Sequence, residues 1–265
     1  MNVISFPRLG ITLNINPVAF RIGSKPVYWY ALIILTGFLL GLLFVYCTCE
    51  KRGVKRDNIW DIALFGLVAG IAGARIYYVL FALYEFSSLL DTLKIWNGGL
   101  AIYGGIIGAA ISSFIYCRIK KLNTRNIFDT CAPGLLIGQA IGRFGNFVNA
   151  EVFGRETDFL LGMSINGRPP VHPLFLYESL WNAAGLILIL LFRDRKKEDG
   201  QVFCFYIFWY ALGRLFLEGM RNSNYILYVI PNVLGISQLV SALLIVLSAA
   251  AFIYLNIKKS KGTVQ

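Results

Sequence analysis

The chain has 265 residues, 57% of them hydrophobic and only 15% charged, with a formal net charge of +11. A soluble domain is nearer half apolar and a quarter charged, so this excess, gathered in long runs, excludes a pair of soluble domains and indicates an integral membrane protein. The basic residues fall mostly in short loops between apolar runs, which is a topology signal, and no nucleic-acid partner is expected.

A membrane span needs about 20 mostly apolar residues. An N-terminal arm, 1–27, leads into span one at 28–49. Spans two to seven follow at 59–83, 99–117, 126–148, 173–193, 201–220 and 235–257, and a basic tail, 258–265, ends the chain. The body 28–257 thus reads as seven crossings, and the chain as one polytopic membrane domain without internal repeats. Spans three and four are rich in glycine, which in membranes signals close helix packing, and Pro133 predicts a kink in span four. The first apolar run begins near Tyr28 with no small-residue cleavage site after it, so no cleavable signal peptide is expected. Cys47, Cys49, Cys117, Cys131 and Cys204 lie inside or at the ends of apolar runs. Their odd count and lack of ligand spacing read as buried, inert thiols.

Orientation follows from lysine and arginine. Loops 51–56, 118–125 and 193–197 and the tail carry fifteen of these residues, the opposite side carries seven, and Arg75, Arg143 and Arg214 fall within spans. The positive-inside rule then places the N-terminus outside and the C-terminus in the cytoplasm. The expected fold is an all-α membrane protein of seven transmembrane helices. A small extracytoplasmic cap comes from the arm 1–27 and the loop 150–172.

A charge at mid-membrane costs about 2.5–3.5 kcal/mol on insertion scales, so each one needs a reason. Asp61 and Asp129 begin spans two and four, where acidic residues complement the helix dipole. Other polar residues gather near the outer side. Gln139, Arg143 and Asn146 fall within roughly 60° on one face of span four. Tyr210, Arg214, Glu218 and Arg221 form a stripe at the end of span six, while His172, Tyr177 and Glu178 mark the outer end of span five. Spans one and three bring Tyr30 and Tyr103 to the same level.

Ion pairs such as Arg214–Glu218–Arg221 and Arg143–Glu151 would suffice to hold helices together. Arginines on two helices at one depth, however, exceed the carboxylates available to neutralise them. A guanidinium is permanently charged and fits a phosphate through two parallel hydrogen bonds. The anion always present at that depth is a phospholipid headgroup, so Arg143 is expected to hold a lipid phosphate. Other chemistries fit poorly. The single histidine excludes a His-rich metal site, no Gly-x-Ser-x-Gly elbow or phosphate loop occurs, and a transporter would keep its polar groups near the midplane. No metal or cofactor is expected. His172 reads as the end of a loop, capping span five before Pro173.

These residues resemble a known family. "GRFGNFVNAEVFGR" (142–155) is similar to the signature of the prolipoprotein diacylglyceryl transferases of bacteria. "NPVAFRIG" with "YWYAL", "GGLAIYGGIIG" (98–108), "HPLFLYE" (172–178) and "YALGRLFLEGMR" (210–221) resemble further family segments in the family's order. The resemblance implies transfer of the sn-1,2-diacylglyceryl group from phosphatidylglycerol to the lipobox cysteine of a prolipoprotein signal peptide, at the outer leaflet of the bacterial plasma (inner) membrane. It implies that Arg143 clamps the lipid phosphate and Asn146 orients the headgroup. Arg214 would bind phosphate or gate its exit, with Glu218 and Arg221 steering it and Tyr210 on the same stripe. Tyr30, Glu151 and Gly154 also match positions that matter in the family, and Glu151 is expected to hold Arg143 in place. Many members carry a histidine where this chain has Tyr103. A phenol with pKa about 10 is a poor base for a thiol near 8.5, so Tyr103 either positions substrate or acts as tyrosinate beside an arginine. A phospholipid transporter or flippase using the same arginine clamp is the alternative.

Overall fold

Within lipid, backbone polar groups must be satisfied inside the chain, and long apolar runs do so as helices. The computed structural model describes residues 1–86, 88, 90–226, 228–230 and 234–262. It contains α1 (Trp29–Thr48), α2 (Arg56–Phe81), α3 (Ile102–Ile119), α4 (Thr124–Val148), α5 (Leu174–Phe192), α6 (Gln201–Gly219) and α7 (Ile236–Gly262). Each matches an expected span to within five residues at either end. Six of these helices are long and apolar enough to cross a membrane, and α4, which carries Arg125, Asp129 and Arg143, is not among the six. Of the expected tail, 258–262 continue α7 and 263–265 lie outside the described residues.

The chain packs as two compact units, Val45–Thr130 and the remainder, Met1–Phe44 with Cys131–Gln265. In the first, α2 and α3 touch backbone to backbone. A Cβ on Gly73 would meet the Gly104 carbonyl and approach Gly108 Cα to 3.1 Å, while one on Gly108 would meet the Ala69 carbonyl. Tyr116 donates to Asp61 Oδ2 at 2.6 Å and its hydroxyl lies 3.1 Å from Asn58 Oδ1, bridging the two helices. Asp61 lies beyond the first turn of α2, so its carboxylate serves a phenol, and Asp57 holds the dipole position instead.

Arg75, buried in α2, is satisfied without a carboxylate. Its Nε donates to Thr92 O at 2.7 Å and its terminal nitrogens to the carbonyls of Gly98, Gly99, Asp91 and Lys94 at 2.6–3.2 Å. The guanidinium lies 4.9 Å from the Phe86 ring centroid. One in-span cation therefore organises the whole approach to α3. Gly99, at φ 76°, has no room for a side chain, since a Cβ there would meet Arg75 Nη1 at 2.6 Å.

In the second unit α1 crosses α4 on glycine. Gly41 faces the Gly134 carbonyl, Gly37 would bring a Cβ to 3.0 Å from Gly138 O, and the Tyr30 ring lies against Gly145. Helices α5 and α6 are locked by two stacked indoles, Trp181 and Trp209, with centroids 4.4 Å apart. Each ring N–H donates to the other residue's carbonyl, at 3.0 and 2.9 Å, and Gly185 and Gly213 leave the space these rings fill.

Apart from a 3₁₀ turn at Pro7–Leu9, the arm is built of strands. Strands β1 (Asn2–Phe6) and β2 (Ile11–Ile15) pair antiparallel, and β3 (Val18–Ile22) pairs with β4 (Lys25–Tyr28). The loop before α5 supplies β5 (Ser164–Ile165), which adds to the free side of β1. Ile4, Met163, Ile165, Val171 and Phe175 form the core of this cap, with Phe147 and Phe153 packed against it. The all-α expectation thus fails locally: alternation of apolar and polar residues, as in "ITLNI", builds strands. Among the cysteines, Cys49 and Cys117 are buried while Cys47 is exposed.

The glycine contacts give a direct test. Gly73→Ala lowers thermal stability in detergent by about 1–3 kcal/mol through overpacking. Gly66→Ala on the same helix, whose new Cβ would find only Ser113 Oγ at 3.9 Å, is neutral or stabilising.

Candidate active site

The signature segment closes α4 and turns sharply. Glu151 N–H donates to Asn146 O at 3.0 Å and Ala150 N–H to Phe147 O at 3.0 Å. Ala150 (φ 54°) and Val152 (φ 58°) both adopt the left-handed region. A β-branched residue there is a rare outlier that costs about 1–3 kcal/mol, and such strain concentrates at functional sites. The turn folds Glu151 back so that Asn146 Nδ2 donates to its Oε1 at 3.0 Å. From the cap, Asn2 Nδ2 donates to Val148 O at 3.2 Å.

Beyond the turn, three segments are zipped by backbone hydrogen bonds. Gly154 N–H donates to His172 O at 2.9 Å, His172 N–H to Arg155 O at 3.0 Å, Arg155 N–H to Met220 O at 2.9 Å and Asn222 N–H to Phe153 O at 3.2 Å. A Cβ on Gly154 would lie 2.6 Å from His172 Cβ and 2.9 Å from Met220 O, so only glycine passes between them. The zipper fixes Arg221 at the end of α6.

Within this frame the charges of three helices meet. Arg143 Nε of α4 contacts Glu178 Oε2 of α5 at 2.5 Å. Glu178 Oε1 lies 3.7 Å from Arg214 Nη1 and 3.6 Å from Arg221 Nη2. Glu218 Oε2 contacts Arg214 Nη2 at 3.0 Å and Arg221 Nε at 3.5 Å. Arg214 Nη2 also donates to Ser237 Oγ on α7 at 3.4 Å. Three guanidiniums thus face two carboxylates, and the array carries one net positive charge. Both carboxylates are almost fully buried, whereas the Arg143 side chain keeps 23% of its surface. Arg143 spends Nε on Glu178, and its two terminal nitrogens have no partner among the described residues. A guanidinium held by one edge with the other open is set to receive a second, planar or tetrahedral oxyanion. Burial first, and then the neighbouring Arg214, hold Arg221 below the usual arginine pKa.

Of the residues expected at the site, Arg143, Arg214, Glu218 and Arg221 are in this array, and Gly154 is bound to it through Arg221. Asn146 and Glu151 form a pair, and the Tyr30 phenol lies within electrostatic range of both Arg143 and Glu151. Glu151 accepts from Asn146, and the residue that anchors Arg143 is Glu178. That carboxylate, standing near the head of an apolar span at the same level as the arginines, was the available signal for its place in the array. Tyr210 packs instead in the apolar cluster of Leu136, Ile189 and Val202. Tyr103 belongs to the Val45–Thr130 unit, at the second position of α3, its ring 6.5 Å from that of Tyr77. Among the described residues no three His, Cys, Asp or Glu side chains gather as metal ligands would.

His172 does not cap α5 with its side chain; Pro173 is the cap residue, and the imidazole Nδ1 lies 3.3 Å from the Tyr177 hydroxyl. Burial lowers its pKa. The stability that neutral His172 contributes is therefore present above the unfolded imidazole value of about 6.5 and is lost as pH falls through the lower folded value. His172→Gln should flatten the decline in melting temperature between about pH 7 and pH 5. A slope identical to that of the unaltered protein would contradict this.

The sequence was compared with known proteins. A family model described as prolipoprotein diacylglyceryl transferase matches residues 17–254. A phosphatidylglycerol–prolipoprotein diacylglyceryl transferase of Bacillus velezensis is 40% identical over 257 residues, covering 92% of this chain and 93% of that protein. The protein of the same name from Listeria monocytogenes serotype 4a is 40% identical over 257 residues, with 92% and 91% covered. That of Streptococcus pyogenes serotype M5 is 42% identical over 244 residues, with 88% and 92% covered. The family match spans every residue of the charged array, and the chain belongs to the prolipoprotein diacylglyceryl transferase family.

Proposed function

We propose that this enzyme moves the sn-1,2-diacylglyceryl group of phosphatidylglycerol onto the lipobox cysteine thiol of a prolipoprotein, in a bacterial membrane. The observation that carries the reading at the level of the site is the open edge of Arg143 within an array of net positive charge. The step breaks the bond between the sn-3 carbon of the glyceryl group and its phosphate oxygen. The cysteine sulfur forms the new bond, its proton leaves to solvent, and the electron pair stays on glycerol 1-phosphate.

Arg143 binds the phosphate through its terminal nitrogens and stabilises the charge that grows there as the bond breaks, an electrostatic contribution that needs no proton transfer. Asn146, aligned by Glu151, orients the glycerol headgroup, with Tyr30 beside it. Arg214 meets the departing phosphate and Arg221 supports it. Tyr103 positions substrate. The thiol ionises in the positive local field, because nearby cations lower cysteine pKa. No cofactor or metal takes part in this scheme. The chain crosses the inner membrane seven times with α4 as one crossing, its N-terminus outside, so that the array opens toward the outer leaflet. Lysine and arginine distribution supports that orientation.

Purified protein, phosphatidylglycerol and a lipobox peptide should yield a peptide carrying one diacylglyceryl group, read by mass spectrometry. Headgroup movement across vesicles without thioether would favour a flippase and overturn the assignment. Arg143→Lys should lower kcat/KM by about 100-fold or more, since lysine cannot bind through two parallel bonds. Tyr103→Phe should retain near-normal turnover; a collapse of kcat would make the phenol a participant in proton transfer.

A further inference from the structure

A site built only to bind an anion tightly would not bury two carboxylates among its arginines. Glu178 contacts all three guanidiniums and Glu218 contacts two, and both are nearly devoid of solvent, so Glu178 offsets charge at Arg143 directly and Glu218 offsets that of Arg214 and Arg221 beside it. Screening by salt acts weakly on buried charges. The pair leaves the array with one positive charge, which equals the charge of one phosphodiester.

We infer that Glu178 and Glu218 set the charge of the phosphate site so that it retains a phosphodiester monoanion and expels a phosphomonoester dianion. This rests on the transfer reaction assigned above, in which the phosphate enters esterified twice, with charge −1, and leaves esterified once. A phosphomonoester carries about −1.5 to −2 near pH 7, its second pKa being near 6. The array is neutralised by the substrate and left with a surplus negative charge by the product. Breaking the carbon–oxygen bond therefore converts a matched ligand into a mismatched one at the moment it must leave. The arginines supply affinity and transition-state stabilisation, and the carboxylates supply release and select against phosphomonoester lipids. Glu178 and Glu218 act through the arginines and are positioning residues for specificity.

The test compares two soluble anions as ligands of the purified, detergent-solubilised protein at pH 8: glycerol 1-phosphate, a dianion, and glycerophosphoglycerol, a phosphodiester monoanion. The unaltered protein should bind the diester at least as tightly as the monoester. Glu178→Gln and Glu218→Gln should each shift the ratio of the two dissociation constants toward the dianion by about ten-fold or more, as one unit charge at close range in a partly screened site requires. Glu178→Asp, which keeps the charge, should leave the ratio where it was. A role limited to holding the arginines in place would weaken both anions together in the glutamine variants and leave the ratio unmoved, and that result would overturn the inference. Preference of the unaltered protein for the dianion by ten-fold or more would overturn it without any variant, so a glutamine variant that fails to fold does not shield it. Because the titrations need no turnover, absence of thioether product would sink the assigned reaction while the binding ratio still decides the charge question.

Discussion

The candidate site depends on three guanidiniums sharing two buried carboxylates. Charges taken out of water are costly unless they are paired with good geometry. Here Glu178 and Glu218 are ion-paired to the arginines, though one oxygen of each accepts no hydrogen bond, while the outer edge of Arg143 is left open. The array presents one unfilled position, and the proposed transfer is assigned to it.

The rest of the second unit serves to hold those helix ends in register. Glycines let α1 and α4 touch, which brings the Tyr30 ring against Gly145, one residue before Asn146. The reciprocal Trp181–Trp209 hydrogen bonds fix α5 against α6 one turn from Glu178. Gly154 threads between His172 and Met220 and ties the signature turn to Arg221. The strained backbone at Ala150 and Val152 is tolerated because the cap core, with Phe147, Ala150 and Phe153 packed on it, over-determines the turn. In the Val45–Thr130 unit a different cation does structural work: Arg75 gathers five carbonyls and so orders the approach to α3 and Tyr103.

Much of this was legible in the sequence, for physical reasons. Long helices announce themselves by length and apolar content, so those among the described residues are visible in the sequence, α4 included despite its polar residues because its apolar run continues past Gln139. Arg143, Arg214, Glu218 and Arg221 were visible because a charge within an apolar run is expensive and helical periodicity aligns it with its neighbours. What stayed hidden depends on contacts between distant segments. Nothing local distinguishes Glu178 from Glu151 as the partner of Arg143; the difference arises only when α5 packs on α4. The strands of the arm are too short to register in a search for 20-residue runs, although their alternation was present. Arg75 carried no signal for its acceptors, since backbone carbonyls leave no mark on the sequence. His172 reads locally as a cap and Asp61 as a partner of the helix dipole, and both instead meet tyrosines, Tyr177 and Tyr116.

The central claim is that the open edge of Arg143 grips the phosphate of a lipid headgroup while Glu178 holds its other side. A high-resolution structure of the protein in lipid with phosphatidylglycerol bound tests it most directly. The account predicts two phosphate oxygens about 3 Å from Arg143 Nη1 and Nη2, with the Nε–Glu178 contact intact. A headgroup seated away from Arg143, with that edge turned onto protein or water, would contradict it.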